Sequence, residues 1–348
     1  MSITLNAPLD MHLHLRDGDM LATVAPLSSH IFSGAIIMPN LVPPITTKEE
    51  LIAYKNRINQ VSKRDNFNPY MTLFFKADYT KEFLESIKDE LTAIKLYPAG
   101  ITTNSEGGLS GFNVEELAPT LNAMSELNIP LCIYGETNGF VMDREAEFVS
   151  IYEMLATNFP KLKIIMEHIT TKESVEALDR FDNLYATITL HHLLITLDDV
   201  AGGMLQPHLF CKPIAKRPED RDALRKVALG GHPKVMFGSD SAPHPQHAKE
   251  SCGCAAGVFT APIALQALTK LFIENSTVEK LQAFISDNAQ RIYNNISVIN
   301  KKVTLEKKPF VVPAKYDEVV PMYANETLAY SITNIEYGKS YKNKDSKI

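Results

Sequence analysis

Eight short apolar runs recur along this chain, and amphipathic stretches lie between most of them. The runs are PLDMHLHL (8–15), GAIIMPN (34–40), YMTLFFKA (70–77), TAIKLYP (92–98), PLCIYGE (130–136), KIIMEHI (163–169), LYATITL (184–190) and KVMFGSD (234–240). Runs of this length read as strands. Between them, TKEELIAYKNRINQVSK (47–63) opens on a Thr cap and carries apolar residues at helical spacing. VEELAPTLNAMSEL (114–127), REAEFVSIYEMLATNF (144–159) and EDRDALRKVAL (219–229) read the same way. Strands alternating with helices imply parallel βαβ units, and eight of them favour a closed (β/α)8 TIM-type barrel over an open sheet.

Composition agrees with a large packed core. The chain has 348 residues, 45% of them apolar and 22% charged, with 35 Lys+Arg against 41 Asp+Glu for a net charge of −6. That balance excludes a disordered chain and argues against a nucleic-acid binder, which would carry a basic stripe. The start, MSITLNAPLDMHLHLRDGDM, lacks the basic and apolar blocks of a secretory signal, and no run reaches the roughly 18 residues of a membrane span. Cys132, Cys211, Cys252 and Cys254 are too few for a disulfide scaffold, so a cytoplasmic protein is expected. Cys252 and Cys254 form a C-x-C pair with no second pair to complete a metal site, which favours loop packing.

Residues 191–218 form a long connection between the last two strands, a length typical of functional loops. Another long loop covers 241–260, followed by helices near 261–274 and 277–295. The expected division is a barrel over 1–300 and a Pro-rich C-terminal extension over 301–348 packed on it, with a polar end at NKDSKI.

Polar residues gather at the C-terminal ends of the predicted strands, where barrels of this type build their active sites. His12 and His14 stand two apart and so share a face of the first strand, which makes half of a Zn²⁺ site or a pair of core histidines. Arg16 follows, placed to clamp an anion or to form a surface ion pair. Asn40, Lys95, His168 and Asp240 end or occupy strands two, four, six and eight. A buried ammonium at Lys95 would be costly. Burial favours the neutral amine, which can add CO₂ to form a carbamate, an anion with two oxygens that can bridge two metals. With His12, His14 and Asp240 on one ion and His168 on the other, that carbamate would complete a two-metal centre. The plainer alternative is a Lys95–Asp240 ion pair.

Longer motifs carry a specific resemblance. DMHLHLRD (10–17), IMPN (37–40), IKLYPAGITTNS (94–105), EHITTK (167–172), GSDSAPH (238–244) and KESCGCA (249–255) resemble, in order and spacing, the short bacterial dihydroorotase family of the amidohydrolase superfamily. The resemblance implies reversible cyclic-amide hydrolysis between N-carbamoyl-L-aspartate and dihydroorotate, in pyrimidine biosynthesis. It implies two Zn²⁺ per subunit on His12, His14, carboxylated Lys95, His168 and Asp240, with Asp240 as general base and acid. Arg16, Asn40 and His244 would hold the substrate carboxylate, the main chain around Lys212 and Ala255 would contact the ring, and Thr102 and Thr103 would lie on a closing loop. The family is often a homodimer, and its substrate is a small molecule; no nucleic acid or membrane partner is expected.

One departure matters. The family has V-H-G-E at the end of strand five, with its His on the second zinc, and this chain reads I-Y-G-E with Tyr134. Three readings follow: a weakened second metal held by Lys95 and His168, ligation by a Tyr134 phenolate, or an impaired form. His191 and His192 could compensate or serve as packing. The competing functions are a related amidohydrolase such as a hydantoinase, and a catalytically silent barrel.

Overall fold

A computed structural model describes residues 2–337; the polar end NKDSKI lies outside the described residues. The eight apolar runs become strands β2 (Leu9–Leu13), β3 (Gly34–Ile37), β4 (Asn68–Phe74), β5 (Leu91–Leu96), β6 (Leu131–Ile133), β7 (Ile164–Met166), β8 (Leu184–Ile188) and β9 (Val235–Phe237), all parallel and in sequential order. A parallel bridge from Leu13 to Ser241 and a 2.8 Å bond from Asp240 N to His12 O close the sheet into a barrel. Each of these strands stops two or three residues before the predicted run ends, so several of the polar residues expected to be catalytic sit on the loops just above the barrel.

Strand parity separates two apolar layers. Leu9, Met11, Ile36, Tyr70, Ala93, Cys132, Ile165 and Met236 form the cluster that fills the barrel, plugged from below by Ala289, Ile292 and Tyr293. Alternate residues such as Ile37, Leu73, Ile94, Ile133 and Phe237 pack outward against the helices. β2 changes parity. Its pairing with β3 is irregular between Asp10 and Leu13, and Leu13 and Leu15 join the outer layer although Leu9 and Met11 belong to the inner one. The irregularity turns His12 and His14 inward.

The predicted helices form with local caps. Lys48–Ser62 starts at a capping box of Thr47 and Glu50, and Val114–Glu126 at Asn113, whose side chain accepts from Glu115 N. Arg144–Asn158 and Pro218–Gly230 also agree with their sequence patterns. Residues 191–218 are not a bare loop: they contain much of Leu190–Leu194, then Leu197–Ala201 and a 3-10 turn at Pro207–Leu209. The helix expected near 277–295 is divided into Val278–Gln282, a π-turn over Ala283–Asp287 and Asn288–Ile292. No helix among the described residues is long and apolar enough to cross a membrane.

The expected boundary at residue 300 is crossed by the chain's first strand. β1 (Ser2–Asn6) pairs antiparallel with β10 (Lys301–Glu306), which pairs in turn with β13 (Ser331–Tyr337). Between them β11 (Phe310–Val311) and β12 (Thr327–Leu328) make a small ribbon. Leu5, Val303 and Leu305 join the outer layer of the barrel. Lys301 fastens this sheet down: its ammonium, fully buried, donates to Ser29 O and Phe32 O at 2.6 Å each, at the C-terminal end of helix Gly18–Ser29. Cations favour that end of a helix.

Candidate active site

The site begins with two imidazoles and one carboxylate. His14 Nε2 lies 3.1 Å and His12 Nε2 3.5 Å from the same Asp240 oxygen, Oδ1. The other His12 nitrogen, Nδ1, is 2.6 Å from Glu167 Oε2, and Thr187 donates to that oxygen at 2.7 Å. A carboxylate on Nδ1 selects the tautomer that leaves the Nε2 lone pair free to bind a cation. Burial pushes the Asp240 carboxyl up, but the His14 hydrogen bond and the surrounding imidazoles outweigh it and hold it well below its usual range. Burial lowers His14 to about 4. The group is therefore an anion facing the neutral His14 ring, and with His12 it is a donor set suited to a divalent metal.

Backbone geometry sets these side chains. Arg16, His168 and Asp240 have φ of +58°, +40° and +42°, all in the left-handed region that non-glycine residues disfavour. Strain of this kind costs on the order of 1–3 kcal/mol per residue and collects at functional sites. Beneath Asp240, Ser239 holds the turn by donating to Asp10 through its N–H at 2.7 Å and its hydroxyl at 2.5 Å.

A second group lies beside the first. The His168 ring centroid is 4.8 Å from that of His12 and 5.0 Å from that of Tyr134. His168 Nδ1, Glu167 Oε1 and Lys95 Nζ are buried atoms without a hydrogen-bond partner. Leaving buried polar groups unpaired costs about 1–3 kcal/mol each, which fits a place where a missing ligand would satisfy them. Lys95 is fully buried with its Nζ 5.0 Å from the Tyr97 ring centroid, and burial lowers its pKa toward the neutral amine. Lys95 and Asp240 form no ion pair within 4.0 Å among the described residues. Tyr134 does not complete this group. Its hydroxyl donates to Glu136 Oε2 at 2.5 Å, and burial, with the Glu136 charge, pushes its pKa well above the usual value. The ring packs with Phe74, Tyr97 and Ile101.

Above the metal-capable residues stands a wall suited to an anion. Arg16 donates through Nε to Pro243 O at 3.1 Å, and its terminal nitrogen is 3.1 Å from His244 Nε2. That same His244 nitrogen is 2.9 Å from Ala256 O, and a single nitrogen cannot accept from one and donate to the other. Asn40 donates to Thr103 O at 3.2 Å, Asn104 returns a bond to Asn40 O at 3.0 Å, and Lys212 Nζ reaches Ile101 O at 3.3 Å. These bonds hold the loop carrying Thr102 and Thr103 over the site, and the cavity beneath has a free volume of about 30 Å³.

His12, His14, Arg16, Asn40, Thr102, Thr103, Tyr134, His168, Lys212 and Asp240 thus meet around one cavity, with Lys95 buried next to it and His244 against Arg16. Ala255 does not join them. Its N–H donates to Ala248 O at 2.9 Å and its carbonyl accepts from Lys249 at 2.7 Å, whereas Ala256 and Gly257 line the cavity. His191 and His192 lie apart, grouped with Cys211. His192 bonds Thr189 Oγ1 and Pro213 O, and both His191 nitrogens are buried without partners. Sequence reasoning missed Glu167, Tyr97, Glu136 and Ala256. Glu167 had a signal, a carboxylate inside an apolar run next to His168.

Comparison with known proteins bears on this arrangement. The amidohydrolase family pattern matches residues 8–291. A dihydroorotase of Helicobacter acinonychis is 44% identical over 340 residues, covering 96% of this chain and 100% of its own. The crystal structure of dihydroorotase from Campylobacter jejuni superposes with a TM-score of 0.92 at 58% identity, covering 96% of this chain and 98% of that one. Dihydroorotase from Saccharomyces cerevisiae, solved with 5-fluoroorotic acid, superposes with a TM-score of 0.89 at 33% identity, covering 97% and 98%.

Proposed function

Because the chain belongs to the amidohydrolase family, and within it to the dihydroorotases, we propose that it interconverts N-carbamoyl-L-aspartate and (S)-dihydroorotate in pyrimidine biosynthesis. The observation that carries this reading is the convergence of His12 Nε2 and His14 Nε2 on Asp240 Oδ1, in a cavity that Arg16 also lines.

The residues divide the work. Arg16, Asn40 and His244 hold the substrate carboxylate and orient the ring amide over Asp240, and such positioning can contribute several kcal/mol. Asp240, kept ionised by its imidazole neighbours, takes a proton from the attacking water and delivers it to the leaving amide nitrogen. In the synthetic direction it takes a proton from the carbamoyl nitrogen as that nitrogen closes the ring, and delivers it to the carboxyl oxygen that leaves as water. His12, His14 and Asp240 would hold a Zn²⁺ ion, which when bound lowers the pKa of water and polarises the amide carbonyl. Thr102 and Thr103 line the cavity with the reacting groups, and their loop would open and close over the substrate.

Lys95 supports a further element. Its neutral amine would add to CO₂, forming an N–C bond and releasing one proton, to give an N6-carboxylysine beside His168. That anion and His168 would serve a second Zn²⁺, held weakly because Tyr134 offers a phenol committed to Glu136. We further infer a cytoplasmic homodimer that binds no nucleic acid, with an extension of the barrel from residue 301 through the described residues to 337.

The test is a spectrophotometric dihydroorotate assay with metal analysis on the same sample. Turnover on zinc-loaded protein is expected. Activity on an uncharged hydantoin ring with none on dihydroorotate would select a hydantoinase, and no turnover of either would select an impaired form.

A further inference from the structure

The mechanism leaves unexplained a buried lysine outside the metal-capable group. Lys249, 3% exposed, ends the short helix Gln246–Lys249. Its ammonium donates to Phe210 O at 2.8 Å, Ala255 O at 2.7 Å and Gly257 O at 2.7 Å. An ammonium has three N–H bonds, and all three are spent on carbonyls. Burying a charge is costly unless it is fully paired, so a lysine here needs a reason that an apolar residue would not supply.

The reason lies in what the three carbonyls flank. Ala255 and Gly257 turn both of their backbone groups to one side: Ala255 N–H donates to Ala248 O and Gly257 N–H to Phe210 O, each at 2.9 Å, while their carbonyls face Lys249. In extended backbone the intervening residue faces the other way. Ala256 does so, with its carbonyl 2.9 Å from His244 Nε2 and its atoms on the cavity wall. Gly257 confirms how tightly the segment is held, since a Cβ there would lie 2.5 Å from Ala242 O. Phe210 stands two residues before Lys212, which also lines the cavity. The ammonium therefore reinforces the Gly257–Phe210 backbone bond in joining two segments that border the substrate space.

We propose that Lys249 is a positioning residue that aims the Ala256 peptide groups at the substrate ring and holds them in register with the Lys212 segment. This rests on the dihydroorotase reading above.

The test compares Lys249→Met, which removes all three donors, with Lys249→Gln, which keeps part of them. On zinc-loaded protein, Lys249→Met should raise KM for N-carbamoyl-L-aspartate and dihydroorotate roughly ten-fold and Lys249→Gln by less, with kcat within about three-fold of the parent. A lowered Tm with unchanged KM would mean a merely structural role and overturn the proposal. Amide hydrogen exchange gives a readout independent of turnover. Peptides over 254–258 and 208–213 should exchange about ten-fold faster in the variants while 234–240 is unchanged. Unchanged exchange, or an increase spread over the whole chain, also overturns it. If the parent turns over neither substrate, the functional reading fails and the exchange result still decides the role of Lys249. If Lys249→Met does not fold, Lys249→Gln carries both measurements.

Discussion

The Tyr134 hydroxyl donates its only proton to Glu136 Oε2 at 2.5 Å, and Glu136 Oε1 lies 3.6 Å from Lys216 Nζ. The residue next to His168 thus has its hydroxyl proton on a carboxylate. Tyr134→His should raise zinc content toward about two per chain. Metal analysis of parent and variant prepared side by side checks this; equal stoichiometry would show that position 134 does not limit the second ion.

Asp240→Asn keeps the shape of the side chain and removes its charge and basicity. Turnover should fall by about 10²–10⁴ or more, with circular dichroism and zinc-free Tm close to the parent. Retention of more than roughly a tenth of the parent rate would sink the assignment of Asp240 as the base.

Glu167 acts through His12. Glu167→Gln weakens the contact that fixes the tautomer of that imidazole. Zinc affinity, read by chelator competition, should drop about 10–100-fold. An unchanged affinity would show that the His12 ring is held by packing alone.

Arg16→Met tests the carboxylate clamp. KM for N-carbamoyl-L-aspartate should rise by roughly a hundred-fold, as expected for loss of a charge-assisted pair. A variant with unaltered KM would place the substrate carboxylate elsewhere.

Stability of metal-free protein should depend on pH through His14 and His191. Burial lowers each to about 4, from 6.5 in the unfolded chain. The folded state therefore favours the neutral ring. This contribution is fully present above pH 6.5 and is lost as pH falls from 6.5 toward 4, by about 3 kcal/mol per group. Urea titrations across that range give the slope. His191 has no hydrogen-bond partner to lose, so His191→Leu should flatten the slope; an identical slope would refute its share.

The barrel was legible because each strand is an apolar run between caps and turns, and local patterning carries that information. The inward aim of His12 and His14 was legible in outcome but not in cause. Simple alternation with the inner-layer residues Leu9 and Met11 would turn both rings outward, and only the irregular pairing between Asp10 and Leu13 turns them in. That Ala255 directs its N–H to Ala248 and its carbonyl to Lys249 was not legible, because residue pattern does not show which way an irregular loop turns its peptide groups. β1 was not legible because five residues have too little pattern and their partner lies near position 304.

That last pairing sets an order of events. Thr4 and Thr304, 3.2 Å apart through their hydroxyls, leave the ribosome about 300 residues apart, or roughly 15–60 s at ordinary elongation rates. The first strand is therefore made long before anything exists for it to pair with, and the small sheet can close only after the whole barrel has been synthesised.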